Sequence, residues 1–396
     1  KMKLPLTVWG LTLGQALLTT GNILLVSVSA LIGLQIAPSA AWTTFPVAMQ
    51  FLGLMLVVLP AAHLMQRFGR KVVFMVGNTF GVAGAALAYM ALLQQSFVFF
   101  SVATFLLGMA IGVSQQYRFA AVEHTEPAQR ANAVSLVMGG GVLAAVLGPN
   151  LAIWVKSDVP NQQYLNAFVA LLVLYVIAFI LVLCLPLKKN KASDSTGVTR
   201  SYAELFKQPL LVAAVVSGTI GYAVMVLLMT ATPLAMMSHG FHFEHSAHVI
   251  QWHVLGMFVP SFITGTLITR FGEKTIMLLG CVLLLLCQVV AQLGIEYMHF
   301  TVALVVLGIG WNFTFIGATT LLTQTHTPAE KAKVQGINDF LIFSFAAMAS
   351  LFSGYWQNLL GWQTLNLIMM PCVVLAVLLI YRGFRFSSNF KKVKNV

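Results

Sequence analysis

The sequence predicts an all-α membrane protein with twelve transmembrane helices in two pseudo-symmetric six-helix bundles. Of its 396 residues, 59% are apolar and only 8% are charged, whereas globular domains carry about 25% charged residues. The apolar residues form blocks of about 20, which is the length that a helix needs to cross a bilayer. The blocks also fall into two sets of six, because loop sequences from the first half recur in the second.

Each apolar block is predicted to be a helix, because only helices and closed barrels satisfy every backbone polar group in lipid. The predicted spans cover residues 6–32, 42–66, 72–92, 98–121, 131–154, 164–186, 209–236, 247–269, 275–295, 299–323, 334–356 and 363–382. The net charge is +12, but the Lys and Arg residues lie in short loops and form no basic helix face. Nucleic-acid binding is therefore not expected.

The basic residues indicate how the chain is oriented in the bilayer. Nearly all Lys and Arg fall in loops on the side of the chain termini, and the loops on the other side offer only Lys156. Because cytoplasmic loops are enriched in Lys and Arg, we expect both termini to lie in the cytoplasm. A monomer is expected, with the lipid bilayer as its surroundings.

A polar segment divides the chain into two halves. It runs from Lys188 to Gln208 and has the composition of a flexible linker. The predicted organisation is an N-terminal six-helix bundle over 1–187, a cytoplasmic linker over 188–208, a C-terminal six-helix bundle over 209–383 and a basic cytoplasmic tail over 384–396.

Two loop sequences recur at equivalent points of the two halves. The matched segments are Arg67-Phe68-Gly69-Arg70-Lys71 with Arg270-Phe271-Gly272-Glu273-Lys274, and Pro127-Ala128-Gln129-Arg130 with Pro328-Ala329-Glu330-Lys331. A duplicated unit with parallel halves is a transporter pattern in which the substrate binds midway between the halves.

The loop Arg67–Lys71 resembles the cytoplasmic loop motif of the major facilitator superfamily, although Gln66 stands where an acidic residue is usual. Gly148 and Pro149, which follow a run of three glycines in span five, resemble the fifth-helix motif of that superfamily. Small residues there allow helices to approach closely, and the proline can kink the helix. The resemblance covers the whole chain and implies a secondary transporter that works by alternating access and is not an enzyme.

Spans seven and eight each carry a pair of soft metal ligands, Met225 with Met229 and His253 with Met257. Spacing of four residues stacks both members of each pair on one helix face. Thioether and imidazole groups together suit Cu(I). At about 1.5 Å per residue, the predicted bounds put His253 level with Met225 and all four residues in the outer half of the membrane. Core packing is the alternative explanation for the methionines, and a hydrogen bond to Gln251 or to a backbone carbonyl is the alternative for His253.

The stretches Met229–Met236, Val249–Met257 and Pro260–Gly265 closely resemble the CcoA-like copper importers, the CalT branch of the superfamily. The resemblance implies that Met225, Met229, His253 and Met257 bind copper. It further implies that copper, as Cu(I), is transported cargo rather than a resident cofactor, and that import crosses the inner (cytoplasmic) membrane of a bacterium.

Three alternatives stay open. A sister group with the same scaffold is identified as riboflavin importers. That function predicts a larger cavity with stacking aromatic residues and hydrogen-bond partners, and transport that is indifferent to the loss of Met225 or His253. A drug–proton antiporter needs a carboxylate within the membrane, for which Asp339 is best placed. A membrane copper sensor would bind the ion without accumulating it.

Other polar residues are weaker candidates. Met236 and Met237, beside His239, His242, His245 and His248, are predicted accessory copper ligands, although loop histidines are commonly just solvated. Arg118, Glu123, Asn338 and Asp339 are candidates for gating or for coupling to protons, with helix-end pairing as the alternative. Trp311, Asn312 and Asn22 are predicted to line the cavity.

Overall fold

The computed structural model describes residues 4–126, 130–187 and 199–393, and these residues are helical almost throughout. The helices of the first half are α1 (Leu6–Ile36), α2 (Phe45–Phe68), α3 (Arg70–Leu93), α4 (Phe97–Ser114), α5 (Tyr117–Glu123), α6 (Arg130–Trp154) and α7 (Leu165–Cys184). Those of the second half are α8 (Tyr202–Leu205), α9 (Pro209–Ser238), α10 (Phe243–Phe258), α11 (Ser261–Leu293), α12 (Tyr297–Thr323) and α13 (Lys331–Val393).

Two apolar helical segments of the described chain, Phe243–Leu293 and Lys333–Phe386, are 51 and 54 residues long. At 1.5 Å per residue they would measure about 75–80 Å, more than twice the hydrocarbon thickness. Each reverses at a glycine with positive φ, Gly272 at 80° and Gly361 at 75°, which is a conformation that glycine adopts without steric cost. Each segment therefore makes two crossings, and the predicted twelve-helix fold is confirmed.

Two predicted continuous spans are interrupted. Predicted span four is divided between α4, which ends at Ser114, and α5, which begins at Tyr117. Predicted span eight begins earlier than expected, at Phe243, and breaks after Phe258. The second break has a local cause, because Pro260 lacks a backbone N–H and clashes with the preceding helical turn.

Close helix contacts within each half depend on glycine. A Cβ added at Gly108 would clash with the carbonyl oxygen of Gln50, because α4 lies directly against α2 there. A Cβ at Gly308 would clash with the carbonyl oxygen of His253, and one at Gly256 would lie 2.7 Å from that of Val305. Small residues of this kind are common where membrane helices cross closely. The second contact holds α10 against α12 beside the candidate site.

We call the end of the bundle that carries the α2–α3 loop and the α12–α13 connection the basic face, and the other end the opposite face. The last part of the predicted linker is ordered against the basic face. Ser201 and Glu204 form a reciprocal capping box at the start of α8, and the Arg200 guanidinium binds the Glu330 carboxylate at 2.7 Å. Residues 199–208 are therefore not a flexible linker, and residues 188–198 lie outside the described residues.

The other boundaries of the predicted organisation stay predictions. Helix α13 continues to Val393, so the described part of the predicted basic tail extends the last helix beyond the predicted end of span twelve at residue 382.

Candidate functional site

The four predicted copper ligands lie inside the second half rather than toward lipid. The exposed fractions of Met225, Met229, His253 and Met257 are 1%, 6%, 0% and 9%. The three methionines belong to one continuous hydrophobic core that also contains residues of the first half, among them Phe51. The two pairs are thus buried near the contact between the halves.

The relative heights of the two pairs differ from the prediction. Measured from the opposite-face ends of α9 and α10, at 1.5 Å per residue, Met229 and His253 lie at about 14 and 15 Å, and Met225 and Met257 at about 20 and 21 Å. His253 is therefore level with Met229, whereas the prediction placed it level with Met225. The difference arises because α10 begins four residues earlier than the hydropathy pattern indicated. Both pairs span the same depth, from the middle of the helices toward the opposite face.

One ring nitrogen of His253 is held by the fold, and the other has no partner. Nδ1 lies 2.8 Å from the carbonyl oxygen of Leu304 in α12, so Nδ1 carries the hydrogen and donates it. In the neutral ring, Nε2 is then an acceptor. Nε2 is fully buried without a hydrogen-bond partner, and buried polar atoms are rarely left so. The backbone carbonyl foreseen as the alternative explanation satisfies Nδ1, but it leaves Nε2 available for a metal ion or a donor.

Asn312, predicted to line the cavity, is fully buried and its side chain is hydrogen bonded within the second half. Its side-chain amide donates to the carbonyl of Met257 and to Ser261 Oγ, both at 2.7 Å, and its oxygen accepts from Thr264 at 2.6 Å. Asn312 therefore fastens α12 to the chain on both sides of the break at Pro260. Its role is to hold that break in place.

Asn22 is hydrogen bonded within the first half. It accepts a bond of 2.8 Å from the Gln50 amide, which joins α1 to α2. The Gln50 side-chain oxygen is buried and has no partner.

A second group of side chains, the ring cluster, consists of Tyr222 on α9, Trp311 and Phe315 on α12, and Phe343 on α13. Trp311 and Phe315 are stacked, with centroids 5.1 Å apart and planes at 11°. Tyr222 meets the other three rings edge-on, at centroid distances of 5.5–5.7 Å. Apart from Trp311, sequence reasoning missed these residues, because stacked rings four apart on one helix are common in ordinary cores.

The ring cluster lies at mid-depth between the halves. From the basic-face ends of their helices, Tyr222 is at about 20 Å and both Trp311 and Phe343 are at about 18 Å. Phe343 packs against the core of the first half, whereas Tyr222 and Phe315 pack against the core of the second. Tyr222 precedes Met225 by one helical turn, so the ring cluster lies directly beside the Met and His pairs, toward the basic face.

The predicted accessory ligands separate in the structure. Met236 is fully buried in the core, whereas Met237 is 40% exposed at the opposite face. The imidazole Nδ1 of His239 is bonded to the carbonyl of Ala235 at 2.7 Å. His242 and His245 stack on each other with centroids 6.0 Å apart.

The gating candidates also differ in position. Glu123 pairs with Arg70, and Arg70 Nε donates to Glu123 Oε2 at 2.6 Å. An acidic residue from α5 therefore pairs with the loop motif, in which Gln66 stands where a carboxylate is usual. The Arg118 side chain lies outside the described residues. The Asn338 amide donates to the Asp339 carboxylate at 3.2 Å, and Asp339 is half-buried about 12 Å from the start of α13.

The motif residues occupy turns and close helix contacts. Gly69 has φ of 89°, like its counterpart Gly272. Lys71 Nζ donates to the carbonyl of Leu183 at 2.7 Å. Arg67 and Arg270 each lie over the phenyl ring of the following residue, 5.3 Å from its centroid.

Gly148 and Pro149 both lie inside α6, where a Cβ on Gly148 would meet Cβ of Ile23 at 2.7 Å. This contact packs α6 tightly on α1.

Residues 11–250 and 226–395 match the model of the Major Facilitator Superfamily. The chain belongs to this superfamily. The riboflavin transporter RfnT of Brucella anthropi is 40% identical over 371 residues, which cover 93% of each chain. Among solved structures, a mutant of the nucleoside transporter NupG superposes with a TM-score of 0.72 at 15% identity, over 94% of this chain and 100% of that one.

A bacterial homologue of the human lysosomal transporter Spinster, in an inward-facing and occupied conformation, gives a TM-score of 0.70 at 15% identity over 96% of both chains. At this identity the two solved structures establish the fold alone. The protein is thus a multi-pass membrane transporter of the superfamily. The similarity to RfnT favours the riboflavin alternative over the copper prediction.

Proposed function

We propose that this transporter imports riboflavin or a closely related flavin. The observation that carries the proposal is the 40% identity to a riboflavin transporter over 93% of both chains. The ring cluster supports it, because stacking aromatic residues between the two halves were the feature expected for a riboflavin carrier, and pockets for small organic molecules are lined mainly by apolar and aromatic side chains. The proposal places the basic face in the cytoplasm, as the Lys and Arg distribution favours, and import is tested by uptake.

The direct test is uptake of labelled riboflavin by bacterial cells that lack their own riboflavin carrier. We expect cells that express the protein to accumulate riboflavin well above cells with an empty vector. Uptake should persist in His253→Ala and Met225→Ala, because neither residue belongs to the ring cluster. Accumulation no greater than in the vector control, with the protein present in the membrane, would contradict the proposal.

Copper import is the second candidate, and one specific observation favours it. Nε2 of His253 is a buried acceptor without a partner, with its tautomer fixed by Leu304, and His253 lies level with Met229 in depth. Uncharged thioether and imidazole ligands suit Cu(I) and add no negative charge that would hold the ion too tightly for release. In this reading copper is the substrate and is passed between the halves as they rock.

The two candidates are separated by measuring copper uptake in the same cells. If copper is the cargo, His253→Ala, Met225→Ala and Met257→Ala should each lower copper accumulation at least about tenfold, since loss of one of few ligands removes more than about 1.4 kcal/mol of binding. Met90→Ala is a matched control, because Met90 is 49% exposed on α3. Equal copper accumulation in all variants would reject the copper assignment.

The orientation is part of the proposal and can be tested separately. Asn161 and Lys207 are both exposed, the first at the opposite face and the second at the basic face. In spheroplasts, whose cytoplasmic membrane is intact, a membrane-impermeant maleimide should label Asn161→Cys and leave Lys207→Cys unlabelled. The reverse pattern would place the termini outside the cytoplasm and would contradict the proposed orientation.

A further inference from the structure

The ring cluster contains a polar atom that the fold leaves without a partner. Trp311 is 8% exposed, and its indole Nε1 is buried and has no hydrogen-bond partner. An N–H taken out of water without an acceptor costs about 1–3 kcal/mol, so an unpaired donor of this kind needs an explanation. The adjacent Asn312 does not supply the acceptor, because its side chain bonds to Met257, Ser261 and Thr264 instead.

The surroundings of this donor match those of a bound aromatic ring. Tyr222, Phe315 and Phe343 are only half-buried, although each contacts another ring of the cluster. All three rings lie at mid-depth, and Phe343 on α13 also packs against the core of the first half. Apolar surface with one unpaired donor, placed between the two halves, is suited to a planar ring that carries its own acceptor.

We infer that the ring cluster is a subsite for a planar aromatic heterocycle, with Trp311 Nε1 donating a hydrogen bond to a ring carbonyl oxygen or ring nitrogen. The inference rests on the proposed function, since the isoalloxazine ring of riboflavin carries both kinds of acceptor. The half-buried rings provide stacking or edge contacts, and the indole N–H fixes the orientation of the bound ring. The flexible sugar-alcohol chain of riboflavin lies outside this subsite.

The test uses purified full-length protein in proteoliposomes, with riboflavin as the probe. Trp311→Phe keeps an aromatic ring and removes the donor, so the KM for riboflavin should rise about tenfold, the effect of losing one buried hydrogen bond of about 1.4 kcal/mol. Phe315→Leu keeps the donor and removes a ring, so stacking is lost while the hydrogen bond remains. Trp154→Phe is the matched control, because Trp154 is 69% exposed, and its KM should be unchanged.

Ligand fragments give a second readout that a general loss of folding cannot imitate. Lumichrome, which keeps a fused aromatic ring system and lacks the sugar-alcohol chain, should compete with riboflavin, and ribitol should not. Bound riboflavin should lose fluorescence through contact with Trp311 and should regain part of it in Trp311→Phe. Gel filtration of each purified variant establishes that it is folded.

Each outcome decides one of the two ideas. If wild-type proteoliposomes neither bind nor transport riboflavin, the proposed function is wrong and the subsite falls with it. If wild type transports riboflavin and Trp311→Phe has the wild-type KM and quenching, the subsite is wrong and the proposed function stands. Competition by ribitol rather than lumichrome would likewise overturn the subsite.

Discussion

The opposite face and the basic face are held together in different ways. At the opposite face, polar contacts join the two halves: Lys156 pairs with Glu244 at 2.8 Å, Asn150 donates to Gln251 at 3.0 Å, and Thr44 donates to the carbonyl of Leu351 at 2.9 Å. At the basic face, two ion pairs each stay on one side of the division. Arg70 pairs with Glu123 in the first half, and Arg200 pairs with Glu330 beside the second.

The difference indicates which motions are costly. Separation of the halves at the opposite face breaks an ion pair and two hydrogen bonds, whereas separation at the basic face leaves the Arg70–Glu123 and Arg200–Glu330 pairs intact. In an alternating-access transporter the two halves rock against each other. The contacts at the opposite face therefore hold this conformation closed on that side, and variants at the two faces should respond differently.

The largest effect is expected from a covalent bond across the opposite face. In Asn150→Cys/Gln251→Cys, a short bifunctional thiol reagent should lower substrate uptake at least about tenfold, because linked halves cannot rock apart. The matched control is Arg70→Cys/Glu123→Cys, whose crosslink lies within one half. Its uptake should be the same before and after the reagent. Uptake that survives a complete Asn150–Gln251 crosslink would show that opening on this side is not needed.

A larger side chain between the halves at the same face should have the next largest effect. A Cβ on Gly354 would lie 2.8 Å from Cγ2 of Thr44 in the other half, and overpacking costs about 1–3 kcal/mol. Gly354→Val should therefore favour the conformation open at the opposite face by about tenfold. Labelling of Ala247→Cys, a position 1% exposed in this conformation, measures the opening. Gly265→Val is the control, because its added Cβ meets no atom within 4 Å.

Charge reversal at the ion pair should have a smaller effect. Exposed pairs contribute up to about 1 kcal/mol, so Lys156→Glu should raise the labelling of Ala247→Cys by about two- to fivefold. The double variant Lys156→Glu/Glu244→Lys restores the pair with exchanged charges and should return labelling to the starting rate. Failure of the double variant to recover would mean that the two charges do not act on each other.

The smallest effect on transport is expected at the basic face. The Arg200 guanidinium, followed by backbone N–H donors, holds the pKa of the Glu330 carboxyl well below its usual range. A carboxyl with a lowered pKa stabilises the fold above its unfolded pKa of about 4.3, and that contribution is lost as the pH falls. Glu330→Gln should therefore lower the melting temperature at pH 7, and the difference from wild type should shrink as the pH falls below about 4.

Uptake at pH 7 should change less than about twofold in folded Glu330→Gln, because the Arg200–Glu330 pair does not join the two halves and its loss leaves their rocking unchanged. A large change in Ala247→Cys labelling in this variant would contradict the contrast between the two faces.

Much of this protein follows from local sequence. The lengths of the apolar blocks predict twelve crossings, because each helix satisfies its own backbone in lipid. The recurrence of Arg67–Lys71 at Arg270–Lys274 predicts two related halves, and Gly69 and Gly272 indeed share the same positive φ. The basic loops and motif spacings were sufficient to identify the superfamily, because each depends on residues that are close together in the chain.

The candidate site needed the tertiary structure, because its contacts join residues far apart in sequence. The sequence marked His253, but the partner of its Nδ1, Leu304, lies 51 residues away. Tyr222 and Phe343 gave no local signal, and they meet only because α9 and α13 pack together. Thr44 and Leu351 are 307 residues apart. A periodic sequence pattern indicates which face of a helix is apolar. Which side chains of other helices contact that face is decided only when the helices pack.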